Sequence, residues 1–134
     1  MVRILIIDDE EDIRDVLQLI LESVGYDVRI ASNGDMAIEF QREEPADLII
    51  TDIIMPGKNG VDIITEIKKE FPDIKVIAIS GGGGVQPVEY TPEAISTTAY
   101  LAAAQKAGAK KIFTKPFERD DLIKAVEDLV GKPH

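Results

Sequence analysis

Cysteine is absent from the 134 residues, and histidine occurs once, as the last residue, His134. The first absence excludes a disulfide framework, a cysteine nucleophile and any thiolate metal site, and suits a reducing compartment. The second excludes a Ser-His-Asp triad, an imidazole general base and a multi-histidine metal centre. Basic residues are outnumbered, 15 against 25 acidic, for a net charge of −10. Broad contact with nucleic acid is therefore not expected, because phosphate binding needs a cationic surface. Long apolar runs are missing as well. The longest holds six residues, against the roughly 20 that a membrane-spanning helix needs. The N-terminus opens on a strand-like run rather than a signal peptide, so the expected setting is the cytoplasm with no membrane partner. Any chemistry must rest on carboxylates, lysine, serine or threonine hydroxyls, or a bound ion.

What is present is the composition of one soluble domain, 45% apolar and 30% charged. Five short apolar runs have the length and β-branched content of strands: Ile4 to Ile7, Val28 to Ala31, Leu48 to Thr51, Val76 to Ile79 and Lys111 to Thr114. Three are nearly continuous hydrophobics, the pattern of parallel strands covered on both faces, while the second and fifth are mixed, as edge strands can be. Between them lie helical stripes. The clearest is Ile13, Val16, Leu17, Ile20, Leu21 and Val24, which stops at Gly25. Weaker stripes occupy 34 to 43, ended by Pro45, and 60 to 70, ended by Pro72. Thr91-Pro92-Glu93 reads as the start of a helix that Gly108 closes, and Leu122, Ile123, Val126, Leu129 and Val130 mark a last one. Five strands alternating with five helices predict an open, doubly wound α/β domain with a parallel sheet. One irregular stretch, Gly81 to Thr91, begins with four glycines and is long for a strand-to-helix connection.

In such a sheet ligands sit beyond the carboxyl ends of the strands. The first strand delivers Asp8 and Asp9 there, the third Asp52, the fourth Ser80, and the fifth Lys115-Pro116. Asp8 to Asp12 is a run of five acids, and a solvated patch at a helix N-terminus accounts for Glu10, Glu11 and Asp12, which are expected in the first helical turn. It serves Asp8 and Asp9 less well. With Asp52 alongside, three carboxylates repel one another unless a cation or proton intervenes, and an all-oxygen site points to Mg²⁺ rather than zinc. Taken alone, Asp52 could be a turn-making aspartate, Ser80 a turn serine and Lys115 a solvated cation. Together they describe a carboxylate that could attack a phosphoryl group, with a hydroxyl and an amine able to hold its oxygens.

The pieces Ile4-Leu5-Ile6-Ile7-Asp8-Asp9-Glu10, Asp52-Ile53-Ile54-Met55-Pro56-Gly57 with Gly60, Ser80, and Lys115-Pro116-Phe117 make the chain similar to the receiver domains of bacterial two-component response regulators. The resemblance runs from Val2 to about Val130. It implies a flavodoxin-like strand order, 2-1-3-4-5, with helices on both faces. It further implies Asp52 as phosphoacceptor, Asp8 and Asp9 as the acidic pair that holds Mg²⁺, and the main-chain carbonyl of Ile54 as a further ligand. Ser80 becomes the switch hydroxyl, Lys115 the phosphate-pairing amine, and Lys115-Pro116 a cis peptide. The implied partners are a sensor histidine kinase or phosphotransfer protein and a downstream protein that the sequence does not name. Residues 1–131 are expected to form the receiver, 132–134 a short tail, with no output domain and no enzymatic turnover of a substrate.

Two features depart from the family. The aromatic switch position, three residues before the lysine, is Ile112, and Phe113 should face the other side of its strand. The glycine-rich insertion lengthens the Ser80 to Lys115 separation. Three rival readings are an aspartate-nucleophile phosphatase, a nucleotide-binding loop at Gly81 to Gly84, and a receiver fold that docks without being phosphorylated. The first lacks a general acid two residues after Asp52, where Ile54 stands, and the second matches no phosphate-loop spacing. The third is not demanded by any residue present.

Overall fold

In a computed structural model that describes residues 2–53, 59–80, 102–114 and 117–133, all five apolar runs are strands. They are β1 (Arg3–Ile7), β2 (Asp27–Ala31), β3 (Leu48–Asp52), β4 (Lys75–Ser80) and β5 (Lys111–Thr114). All pair in parallel, in the order β2-β1-β3-β4-β5. The helices are α1 (Glu11–Ser23), α2 (Gly34–Glu43), α3 (Gly60–Glu70), the helical residues 102–107, here α4, and α5 (Arg119–Val130). The proposed opening of the fourth helix at Pro92, and the stretch Gly81 to Thr91, lie outside the described residues.

The strand alternation divides the core in two. Leu5, Ile7 and Ile49 face α2, α3 and α4, where they meet Ala37, Ile63, Ile64 and Ala104. Ile4, Ile6, Leu48 and Ile50 face α1 and α5, against Leu17, Leu21, Leu122 and Val126. Burial on both faces is why β1, β3 and β4 read as unbroken apolar runs, and each such side chain contributes roughly 1.5–3 kcal/mol of transfer free energy. At the edges, β2 and β5 are only partly covered.

Local signals set the helix ends. Asn33 caps α2 by accepting from the Met36 amide at 2.8 Å, and Asn59 caps α3 by accepting from the Asp62 amide at 3.0 Å. Past the end of α1, Gly25 adopts φ +107°, a left-handed conformation that favours glycine. Its amide and that of Tyr26 then return to the Glu22 and Leu21 carbonyls.

Tyr26 ties this end of α1 to the end of α5. Its hydroxyl, on a buried ring, donates to the Gly131 carbonyl at 2.8 Å. Burial and then the Glu127 charge push the phenol up from its usual value. A raised phenol favours the neutral form in the folded state. Its contribution is therefore complete below about pH 10, the unfolded value, and is lost as pH climbs through the higher folded one. Tyr26→Phe is expected to lower stability by about 1 kcal/mol at neutral pH and to flatten the alkaline decline, both read from denaturant midpoints between pH 7 and 11.

Candidate functional site

The parallel register assembles the site from separate parts of the chain. Pairing of Ile7 with Thr51 sets the next residues, Asp8 and Asp52, beside each other at the carboxyl edge. On the far side of β3, Asp52 pairs with Ile79, which is followed by Ser80, the last residue of β4. Asp8 is 1% exposed and Asp52 5%, depths at which a carboxylate needs compensating partners. Carboxylate oxygens of Asp8, Glu10 and Asp52 lie within 4.8 Å of one another. Unit charges at that separation repel by about 3.5 kcal/mol per pair at an effective dielectric of 20, a repulsion that a divalent cation would offset.

The Asp8–Glu10 loop is closely held. The Asp8 amide donates to the Ala31 carbonyl at 3.2 Å. The Glu10 amide donates to Asp8 Oδ1 at 2.9 Å. Arg14 Nη1 donates to the Asp8 carbonyl at 2.9 Å, and the Arg14 amide donates to the Glu10 carbonyl at 3.1 Å. Glu10 does not occupy the first helical turn. It is the N-cap position, with extended backbone at φ −95°, ψ 118°, and its side chain makes no capping bond. Asp9 is exposed and is not one of the three clustered carboxylates. The chain bends at Asp9, and the Glu10 amide bond to Asp8 Oδ1 draws those two residues together across the bend.

Around Asp52 the backbone is crowded. Thr51 Oγ1 donates to the Asp52 carbonyl at 2.9 Å, and the Gly60 amide donates to the Ile53 carbonyl at 2.7 Å. The start of α3 therefore rests on the residue pair that carries the central carboxylate. A Cβ at Gly60 would lie 2.3 Å from the Asp52 carbonyl oxygen.

Ser80 is buried, and its hydroxyl has no hydrogen-bond partner among the described residues. Ile112 packs on the α2, α3 and α4 face, whereas Phe113 sits on the opposite one, 6.1 Å from Phe117 between ring centroids. The side assignment of Phe113 from strand alternation thus holds. Ile54, Lys115 and Pro116 lie outside the described residues.

The clustered side chains offer only oxygen donors, a set that fits a hard divalent cation such as Mg²⁺ and not a thiolate or imidazole metal. Among the described residues no helix is long and apolar enough to cross a membrane.

A parallel 2-1-3-4-5 sheet with acidic groups at the carboxyl edge defines a receiver-type fold, and residues 4–127 match the response regulator receiver domain. The chain belongs to that family, whose members are signalling domains of two-component systems and for which phosphorylation and Mg²⁺ are typical. It is 36% identical to the chemotaxis protein CheY of Thermotoga maritima over 92% of this chain and 93% of that protein. It is 33% identical to the response regulator receiver protein CpdR of Brucella abortus, over 97% and 98%. The DNA-binding transcriptional regulator NtrC of Azospirillum brasilense is 35% identical over 92% of this chain, which spans only 23% of that regulator's length. Among solved structures, the receiver domain of NtrX from Brucella abortus superposes with a TM-score of 0.81 at 32% identity, over 95% of this chain and 97% of that one.

Proposed function

We propose that the chain is a phosphorylation-driven switch that accepts a phosphoryl group on Asp52 and signals through altered protein contacts. The observation that supports this most is the buried Asp52 carboxylate at the end of the central strand, grouped with Asp8 and Glu10. An Asp52 oxygen attacks phosphorus in line with the donor bond. The new O–P bond forms as the bond to a phosphohistidine nitrogen or an acyl oxygen breaks, and the leaving group keeps that electron pair. Bound Mg²⁺ supplies neutralisation of the charge on the phosphoryl oxygens. Asp8, Glu10 and Asp52 are the side chains that would hold it, with Asp9 and the Ile54 carbonyl as further candidates. Ser80 and Lys115 read the phosphoryl group rather than create it. The unpartnered Ser80 hydroxyl is a donor in need of an acceptor, and Lys115 is the corresponding cation. With Ile112 in place of an aromatic ring, the segment after Ser80 is the path by which the change spreads. The donor is a sensor histidine kinase or phosphotransfer protein, and the acting unit is residues 1–131.

Incubation with a small acyl phosphate and Mg²⁺, followed by peptide mass mapping, is expected to place one adduct on Asp52. An adduct elsewhere would move the acceptor to another residue, and none at all would leave a docking module that is never phosphorylated. In the same preparation Mg²⁺ at a hundred times its dissociation constant should stabilise the fold by about 2.7 kcal/mol, roughly 8 °C for a domain of this size. Ser80→Ala is expected to accept phosphate still but to lose the phosphorylation-dependent change in hydrogen exchange. Normal switching by that variant would remove Ser80 from the relay.

A further inference from the structure

We propose that Arg14 is a positioning residue for the cation site, acting through the Asp8–Glu10 loop; this rests on the Mg²⁺ reading above. The Arg14 side chain holds the Asp8 end of that loop, and the start of α1 holds the Glu10 end. The guanidinium Nη1 donates to the Asp8 carbonyl at 2.9 Å, and the Arg14 main-chain amide donates to the Glu10 carbonyl at 3.1 Å. Between these anchors the Glu10 amide closes onto Asp8 Oδ1 at 2.9 Å. The result is a three-residue loop whose first residue is held by the Arg14 side chain and whose last is held by the main chain of α1. Neither anchor uses an Asp8 or Glu10 carboxylate oxygen, so the grip orients the acidic groups without competing with a cation for them.

A guanidinium beside a cation site carries two opposite consequences, and their signs separate the possible roles. As a nearby positive charge, Arg14 repels Mg²⁺, and its removal would tighten binding. As the anchor of the loop, it keeps Glu10 in reach of Asp52, and its removal loosens binding. The geometry favours the second: the half-buried Arg14 guanidinium donates to a main-chain carbonyl of the loop. Because three carboxylates crowd within 4.8 Å, a loop freed at Asp8 would relax by moving Glu10 away. Arg14 therefore trades some electrostatic repulsion for a preformed ligand set, the arrangement by which outer residues tune metal affinity.

The test is calorimetric titration of Mg²⁺ into the full chain and into R14M and R14K. R14M keeps the length of the stem and loses both donor and charge, while R14K keeps one donor and the charge. R14M is expected to bind Mg²⁺ about tenfold more weakly, the lower end of what loss of an outer-shell partner costs, and R14K to recover most of the affinity. Phosphorylation of R14M by an acyl phosphate should return to near the unaltered rate at saturating Mg²⁺. That marks a binding defect rather than a damaged nucleophile. Equal or tighter Mg²⁺ binding by R14M, or equal weakness in R14K, overturns the proposal alone. No Mg²⁺ binding by the unaltered chain overturns the cation reading and the proposal with it. Melting temperatures without Mg²⁺, expected to agree within a few degrees, separate both results from a loss of folding.

Discussion

Asp52→Asn is expected to abolish phosphoryl labelling while the chain remains folded. The substitution keeps the size of the side chain and removes the charged oxygen that attacks phosphorus. No other residue of the described strand ends combines burial, central position and two neighbouring carboxylates in the way Asp52 does. The same change removes one ligand from the acidic group, so the Mg²⁺-dependent rise in melting temperature should shrink in parallel. Labelling by a small acyl phosphate, followed by mass analysis, and melting with and without Mg²⁺ read the two effects separately. Equal labelling of the variant would move the acceptor to another residue, and an unchanged Mg²⁺ response would remove Asp52 from the cation site.

Gly60→Ala is expected to produce the largest loss of stability of any single methyl addition near the site. The new Cβ would sit 2.3 Å from the Asp52 carbonyl oxygen, 2.7 Å from the Ile53 Cα and 3.1 Å from the Asp52 carbonyl carbon. All three are main-chain atoms, which cannot swing aside as the end of a long side chain can. Overpacking of a well-packed region costs about 1–3 kcal/mol, and a clash with backbone alone belongs at the upper end. A fall in melting temperature of roughly 10 °C follows for a domain of this size. The Asp52 carbonyl is also held by Thr51 Oγ1 at 2.9 Å, so relief of the clash must shift Asp52 itself. Mg²⁺ affinity is therefore expected to fall along with stability. A variant that melts like the unaltered chain would show that α3 can retreat from β3 without cost.

Much of the fold was legible because parallel strands covered on both faces leave a plain trace: Ile4 to Ile7, Leu48 to Thr51 and Val76 to Ile79 each form a strand with little error at the ends. The main adjustment is that Asp52 and Ser80 are the last residues of their strands rather than the first residues beyond them. Their side chains are consequently fixed by the sheet's own pairing. The helix ends were readable from Gly25, Pro45, Pro72 and Gly108 because each acts locally. The site was legible as a convergence of Asp8, Asp52 and Ser80, since topology alone brings strand ends together. Glu10 was not, because an acid ahead of a helix reads as a partner for the helix dipole, and only the backbone conformation at that residue shows it outside the helix. Arg14 and Thr51 were equally hidden. Each acts on a main-chain carbonyl, and a sequence does not show which carbonyl a side chain will meet.

The unpartnered hydroxyl of Ser80 also bounds how sharply such a switch can act. Leaving a buried donor unsatisfied costs about 1–3 kcal/mol, and that is the most a new acceptor at Asp52 can return through Ser80. Converted to populations, it shifts an equilibrium between two conformations by roughly 5–150-fold. Carrying a two-state system from 1:99 to 99:1 takes about 5.5 kcal/mol. Ser80 acting alone is thus a graded bias on an ensemble. Near-complete conversion requires a second contribution, from another contact to the phosphoryl group or from a partner that binds only one of the two conformations.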